Sequence, residues 1–254
     1  MPEKKSKYRW FVMGLLFILY TVANADRANI GFALPYLRKE FAMSNTEAGG
    51  IISLFFFAYA FFQVPSGFLV KKFGNRTMFT IGMLFTSVFT GMLGMVNSVF
   101  ALKAFRFGVG IAEAPVAIAS SSTINNWFPP KEKGTATGIF LAGSKFGPLI
   151  VPMLCAWIIS TWGWREIFIF FMIPGLILAV IWFFLVANRP SESKFVNEAE
   201  VEYIADKTVE AKKEEKPKRI YKLWWVDKIV RAKKVELLST PSQVFRCWDM
   251  WGVA

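Results

Sequence analysis

Six apolar stretches of about twenty residues each dominate this chain, at 10–33, 48–70, 77–96, 101–124, 135–160 and 165–187. A hydrocarbon core about 30 Å thick asks that length of an α-helix, and in lipid every backbone polar group must be satisfied within the segment. The joints are short and carry chain breakers: Ser44-Asn45, Phe73-Gly74-Asn75, Asn97-Ser98, Pro129-Pro130 and Trp162-Gly163-Trp164. Joints that short make successive helices antiparallel. The expected fold is all-α, a polytopic membrane protein. A signal-peptide reading of the first stretch, with Ala23-Asn24-Ala25 before Asp26 as the cleavage site, is disfavoured. Apolar character resumes through 30–34 beyond the charged pair.

Composition closes off several functions. With 54% hydrophobic and 19% charged residues, the chain lacks the polar surface that a soluble domain of 254 residues needs. It has no histidine, which removes imidazole bases and ordinary zinc sites, and its two cysteines, Cys155 and Cys247, cannot form a disulfide framework or metal cage. No cofactor is expected, and the chain reads as a non-enzyme. The net charge of +12 sits in short clusters between spans and in a nearly balanced tail, so nucleic acid is not an expected partner.

The clusters set orientation. Lys4, Lys5, Lys7, Arg9, Lys71, Lys72, Arg76, Lys131 and Lys133 fall on one side of the bilayer, against Arg38, Lys39, Lys103 and Arg165 on the other. The positive-inside rule puts the N-terminus and the tail in the cytoplasm. Trp10, Trp127, Trp162, Trp164 and Trp182 lie near span ends, where interfacial anchors are expected. Beyond Ala187 the sequence turns to mixed charge with helical spacing from Glu198 to Arg219, read as a solvated linker. Lys216 to Lys234, interleaved with Trp224 and Trp225, suits an anionic leaflet surface. A new apolar stretch begins near the end, at Trp251.

Charges within the spans point to function. A charge near the bilayer centre costs roughly 2.5–3.5 kcal/mol even on lenient scales and usually faces a protein interior or wet cavity. Here they are Asp26 and Arg27 in span one, Arg106 and Glu113 in span four, and Lys145 in span five. Arg106 and Glu113 share a helix face about 10.5 Å apart along the axis. Three cations against two carboxylates leave a surplus of +1, rising to +3 when both carboxylates are protonated. Such a cavity favours an anion and couples its binding to protons. Lys145 has either Glu113 or the far end of a substrate as its expected partner, with contacts to a second helical half as the remaining option.

At these residues the chain resembles the major facilitator superfamily, and within it the anion:cation symporter family. The likeness covers about 1–190 and resumes at Trp251-Gly252-Val253-Ala254. Its carriers are Asp26-Arg27-Ala28-Asn29-Ile30, Tyr59 through Gly67, Arg106-Phe107-Gly108-Val109-Gly110 and Ala112-Glu113-Ala114-Pro115. The resemblance implies the six-helix N-terminal bundle of a twelve-helix fold over 1–190, a cytoplasmic linker over 191–247 and the start of helix seven at 248–254. It implies proton-coupled symport of an organic anion into the cell, with a sugar acid (hexuronate, aldonate or aldarate) as cargo. The partners would be that anion, protons, the lipid bilayer and the C-terminal half of the same transporter. Arg27 then matches the substrate carboxylate site, Asp26 and Glu113 the proton-coupling positions, and Tyr59 and Gln63 second-helix substrate contacts. Arg106 matches a gating or orienting arginine. Where the superfamily carries an acidic residue in its loop between helices two and three, this chain has Lys71. Gly143 and Gly147 read as close helix packing. The competing reading is a non-transporting membrane sensor or a half-size assembly module.

Overall fold

The computed structural model describes residues 6–205. Among them are six long helices, α1 (Tyr8–Glu40), α2 (Asn45–Phe73), α3 (Asn75–Leu93), α4 (Val99–Trp127), α5 (Lys133–Thr161) and α6 (Arg165–Leu185). A 3-10 turn at Pro190–Glu192 and the short α7 (Glu198–Ala205) follow, and these residues contain no strand. Five of the long helices are apolar and long enough to cross a membrane. The exception is α3, whose 19 residues open on Asn75 and Arg76 and carry several threonines. It still rises about 28 Å, and it packs between α4 and α6.

Each expected joint is a helix boundary. Ser44 caps α2 in a capping box, accepting from the Glu47 amide at 3.2 Å while Glu47 accepts from the Ser44 amide at 3.0 Å. Ser98 caps α4 through the Ala101 amide at 3.2 Å. Gly74 at φ +85° and Gly163 at φ +102° supply left-handed turns. The first stretch is one continuous helix through Ala23–Ala25, and the helices overrun the apolar stretches because caps, not hydropathy, end them.

Neighbours in sequence are seldom neighbours in space. The strongest packing pairs α2 with α4, α3 with α4, α1 with α5 and α3 with α6, and α1 also meets α6. Gly147 lies so close to α1 that a methyl group there would overlap the Thr21 carbonyl, and a Cβ on Gly143 would sit 3.0 Å from the Phe17 carbonyl. Both glycines are the helix-packing positions expected of them. Two apolar clusters fill the bundle, one around Leu16, Phe79, Trp127 and Trp182 and the other around Leu37, Ile51, Leu93 and Phe168. Asp26 and Arg27 of α1 and Arg106 and Glu113 of α4 lie near the meeting of these clusters, and Glu113 is the central residue of α4.

The two ends sort the charges as expected from the loops. At one end Arg9 donates to Glu132 at 2.8 Å and to Glu200 at 2.7 Å, joining α1, the α4–α5 loop and α7. Glu200 is fully buried and also accepts from Ser6. The exit of α6 is capped there by three other helices. Tyr8 donates to the Leu185 carbonyl at 2.9 Å, Trp127 to Ala187 at 3.2 Å and Arg76 to Phe183 at 2.5 Å. At the other end Arg165 pairs with Glu40 at 2.7 Å.

Two expectations change. Trp127 and Trp182 are buried in the bundle, not placed at an interface, since one caps α6 and the other stacks on Phe79 at 4.3 Å. The segment after Ala187 is docked through Glu200 instead of solvated, at least as far as Ala205. The remainder of the expected linker, Trp224, Trp225 and the helix-seven start at 248–254 lie outside the described residues.

Candidate functional site

Three helices, α1, α2 and α4, meet at mid-bundle. Glycine brings two of the helices together: a Cβ on Gly110 of α4 would sit 2.5 Å from the Phe55 carbonyl and 3.1 Å from the Tyr59 amide of α2. Gly110 stands one turn beyond Arg106 and one turn before Glu113, so the close approach delivers Phe55 and Tyr59 to the charged face of α4. Helix α1 presents Asp26, Arg27 and Asn29 to the same region.

The central contact is an ion pair. Arg27 Nη2 donates to Glu113 Oε1 at 2.7 Å, with the Glu113 side chain 3% exposed and that of Arg27 25% exposed. The guanidinium carbon of Arg27 lies 4.7 Å from the Tyr59 ring centroid and 5.3 Å from that of Phe55. Such distances are within cation–π range. Arg27 therefore has one accessible flank, a carboxylate partner and an aromatic support.

Arg106 is 1% exposed and donates to Asn29 Oδ1 at 3.4 Å, with its guanidinium carbon 5.9 Å from the Phe55 centroid. It makes no ion pair within 4 Å among the described residues, yet interacts electrostatically with Asp26 and Glu113. Arg106 thus acts on Glu113 through charge alone, and the side chain in contact with Glu113 is Arg27. Asp26 is 1% exposed, and neither of its oxygens has a hydrogen-bond partner among the described residues. Its charged neighbours are Glu113 and Arg106 rather than Arg27, because consecutive helical residues point about 100° apart. Glu113 Oε2 is also buried and unpartnered among the described residues. Two buried carboxyl groups on facing helices thus leave three oxygens without a hydrogen-bond partner among the described residues, an arrangement that is costly for carboxylates.

Tyr59 and Gln63, one turn apart on α2, are both half-buried, and Gln63 makes no hydrogen bond among the described residues. Tyr59 joins the cluster through Arg27, whereas nothing recorded ties Gln63 to it. Lys145 stands apart. It is exposed on α5, two positions from both Gly143 and Gly147 and so roughly 200° round the helix from the face that packs on α1. The pairing of Lys145 with Glu113, one of its expected alternatives, is not formed: Lys145 lies on the exposed side of α5, and the partner of Glu113 is Arg27. Sequence reading missed Asn29 as the partner of Arg106 and Phe55 as the ring shared by two arginines. Asn29 lies within a quoted motif and Phe55 one turn before another, but spacing within one helix does not reveal contacts between helices.

Comparison with known proteins agrees with the architecture. Residues 16–251 match the family described as the Major Facilitator Superfamily. A probable galactarate/D-glucarate transporter of Bacillus subtilis (strain 168) is 33% identical over 207 residues, which is 79% of this chain and 45% of that protein. A probable L-galactonate transporter of Escherichia coli (strain K12) is 37% identical over 177 residues, covering 70% of this chain and 39% of that one. The solved inward-open xylose transporter XylE of E. coli superposes with a TM-score of 0.65 over 81% of this chain and 54% of its own, at 17% identity, a likeness of fold. The chain spans about half the length of the curated relatives it matches.

Proposed function

Because the chain belongs to the Major Facilitator Superfamily, a family of transporters and not of enzymes, we propose that it forms the N-terminal half of a proton-coupled symporter that brings a sugar acid into the cell. The observation that carries this reading is the Arg27–Glu113 pair at 2.7 Å. A guanidinium is a fork suited to carboxylates, and here its partner is itself a carboxyl group that can be neutralised by a proton. Protonation of Glu113 releases Arg27 to a substrate carboxylate. Loss of the substrate returns Arg27 to ionised Glu113. Proton and anion thus enter together, because each removes the obstacle to the other.

The choice of cargo draws on the named activities of the similar proteins, which are galactarate, D-glucarate and L-galactonate transport. Tyr59 beside Arg27 and Gln63 one turn on would read the hydroxyl groups of such a polyol. Lys145, exposed on α5, would meet a second carboxylate at the far end of a diacid. Asp26 serves as a second proton site, and Arg106 balances the two acids. The N-terminus, α7 and the rest of the linker would face the cytoplasm, and a second helical half would close the site for alternating access.

The test is uptake of labelled D-glucarate by the full-length transporter in proteoliposomes. Saturable uptake driven by an inward proton gradient, and abolished by an uncoupler, is expected. Uptake indifferent to the gradient would remove the coupling claim.

A further inference from the structure

The two arginines of the site are poorly served by hydrogen bonds. Arg27 donates to Glu113 and interacts with Tyr59 beside it, while its Nε is buried without a hydrogen-bond partner among the described residues. Arg106 has one long bond to Asn29, and its Nε is likewise buried and unpartnered among those residues. Five donor N–H groups per guanidinium call for more than that. What both have in common is a ring: Phe55 lies 5.3 Å from one guanidinium carbon and 5.9 Å from the other, and is itself 2% exposed. Phe55 also stacks on Tyr59 at 6.0 Å and 15°, so the two rings make a continuous aromatic shelf along α2. The shelf reaches α4 only because Gly110 lets the Phe55 carbonyl come within what would be 2.5 Å of a Cβ.

We infer that Phe55 is a positioning residue for substrate binding: its ring holds Arg27 in its binding posture when Glu113 is protonated, and shares its electron-rich face with Arg106. This rests on the symport reading above and deepens it. On neutralisation of Glu113 the Arg27 side chain loses its one ion pair among the described residues. A guanidinium on a flexible stem would then scatter over rotamers and lose affinity for the incoming carboxylate. An electrostatic attraction that does not depend on the proton keeps it in place. In a desolvated layer such a contact is strong enough to matter. An aliphatic side chain at 55 would fill the same space without that attraction.

The experiment replaces Phe55 with phenylalanines bearing one, two and three fluorines, which withdraw the ring's negative face while barely altering its shape. D-Glucarate is titrated into each full-length protein by calorimetry. Affinity should fall stepwise, by about 5- to 30-fold from Phe55 to the trifluoro residue. A flat series would overturn the inference and leave Phe55 as packing. Should the unsubstituted protein fail to bind D-glucarate, the substrate reading fails, and the thermal unfolding of the same series still decides this one. With Glu113→Gln in the background, fluorination should lower the apparent Tm by about 3 °C more than it does with Glu113 present. Equal shifts in the two backgrounds would refute the positioning role.

Discussion

Arg27 of α1 donates to Glu113 of α4 at 2.7 Å across 86 positions of sequence, at the meeting of the two apolar clusters of the bundle. A basic and an acidic group that neutralise one another there let the site exist without substrate. The same pairing makes the site responsive, because either partner can be exchanged for a ligand.

Replacing Arg27 by lysine keeps the charge and removes the fork. A charge-assisted bidentate contact exceeds a point charge by roughly 1.5–3 kcal/mol, so Arg27→Lys in the full-length transporter should weaken D-glucarate binding by about 10- to 100-fold. Titration calorimetry measures it. Unchanged affinity would mean that the carboxylate binds elsewhere.

The cluster at the opposite end of α1 makes a stability prediction. Arg9 is 7% exposed and bonds two carboxylates, one of them on fully buried Glu200. Arg9→Met takes the shared cation away from both acids and should destabilise the bundle by about 3 kcal/mol, the scale for breaking a buried pair. The double variant Arg9→Met with Glu200→Gln should recover part of that loss. Thermal unfolding in detergent reads both, and additive losses would show that the pair does not couple.

Much of this architecture is legible in one sequence. The spans follow from hydropathy and the joints from Ser44, Gly74, Ser98 and Gly163, since these are local properties. Gly143 and Gly147 could be read as packing positions because small residues one turn apart mark a close helix contact. What escaped notice is what depends on which helices meet. Glu113 could be placed on the same face as Arg106, seven residues away, but its partner came from α1. Phe55 is one of three consecutive phenylalanines on α2, and only the packing of α4 against α2 singles it out. Trp127 and Trp182 carried the signature of interfacial anchors, yet the exit of α6 and the ring of Phe79 enclose them.

The packing of α1 on α5 is tested at Gly147. A methyl group there would overlap the Thr21 carbonyl, a backbone atom that cannot swing aside. Gly147→Ala should cost about 1–3 kcal/mol, the range for overpacking, and lower the apparent Tm accordingly. A neutral result would mean that α5 can shift along α1 freely.

Lys145 bears on cargo selection. Exposed and outside the Arg27–Glu113 pair, it is free to meet a second carboxylate. Lys145→Met should weaken a diacid such as D-glucarate by about tenfold more than the monoacid L-galactonate, in competition binding with the full-length protein. Equal losses would place Lys145 outside the substrate site.

The coupling claim is tested most directly by separating exchange from accumulation in Glu113→Gln. A neutral amide at 113 leaves Arg27 available to the substrate but cannot give up a proton on the inner side. Proteoliposomes with the full-length Glu113→Gln transporter should exchange internal for external labelled D-glucarate at a rate comparable to the unsubstituted protein. They should fail to concentrate it when an inward proton gradient is imposed. Accumulation against the substrate gradient by the glutamine variant would contradict the account, because the proton would then be entering without Glu113.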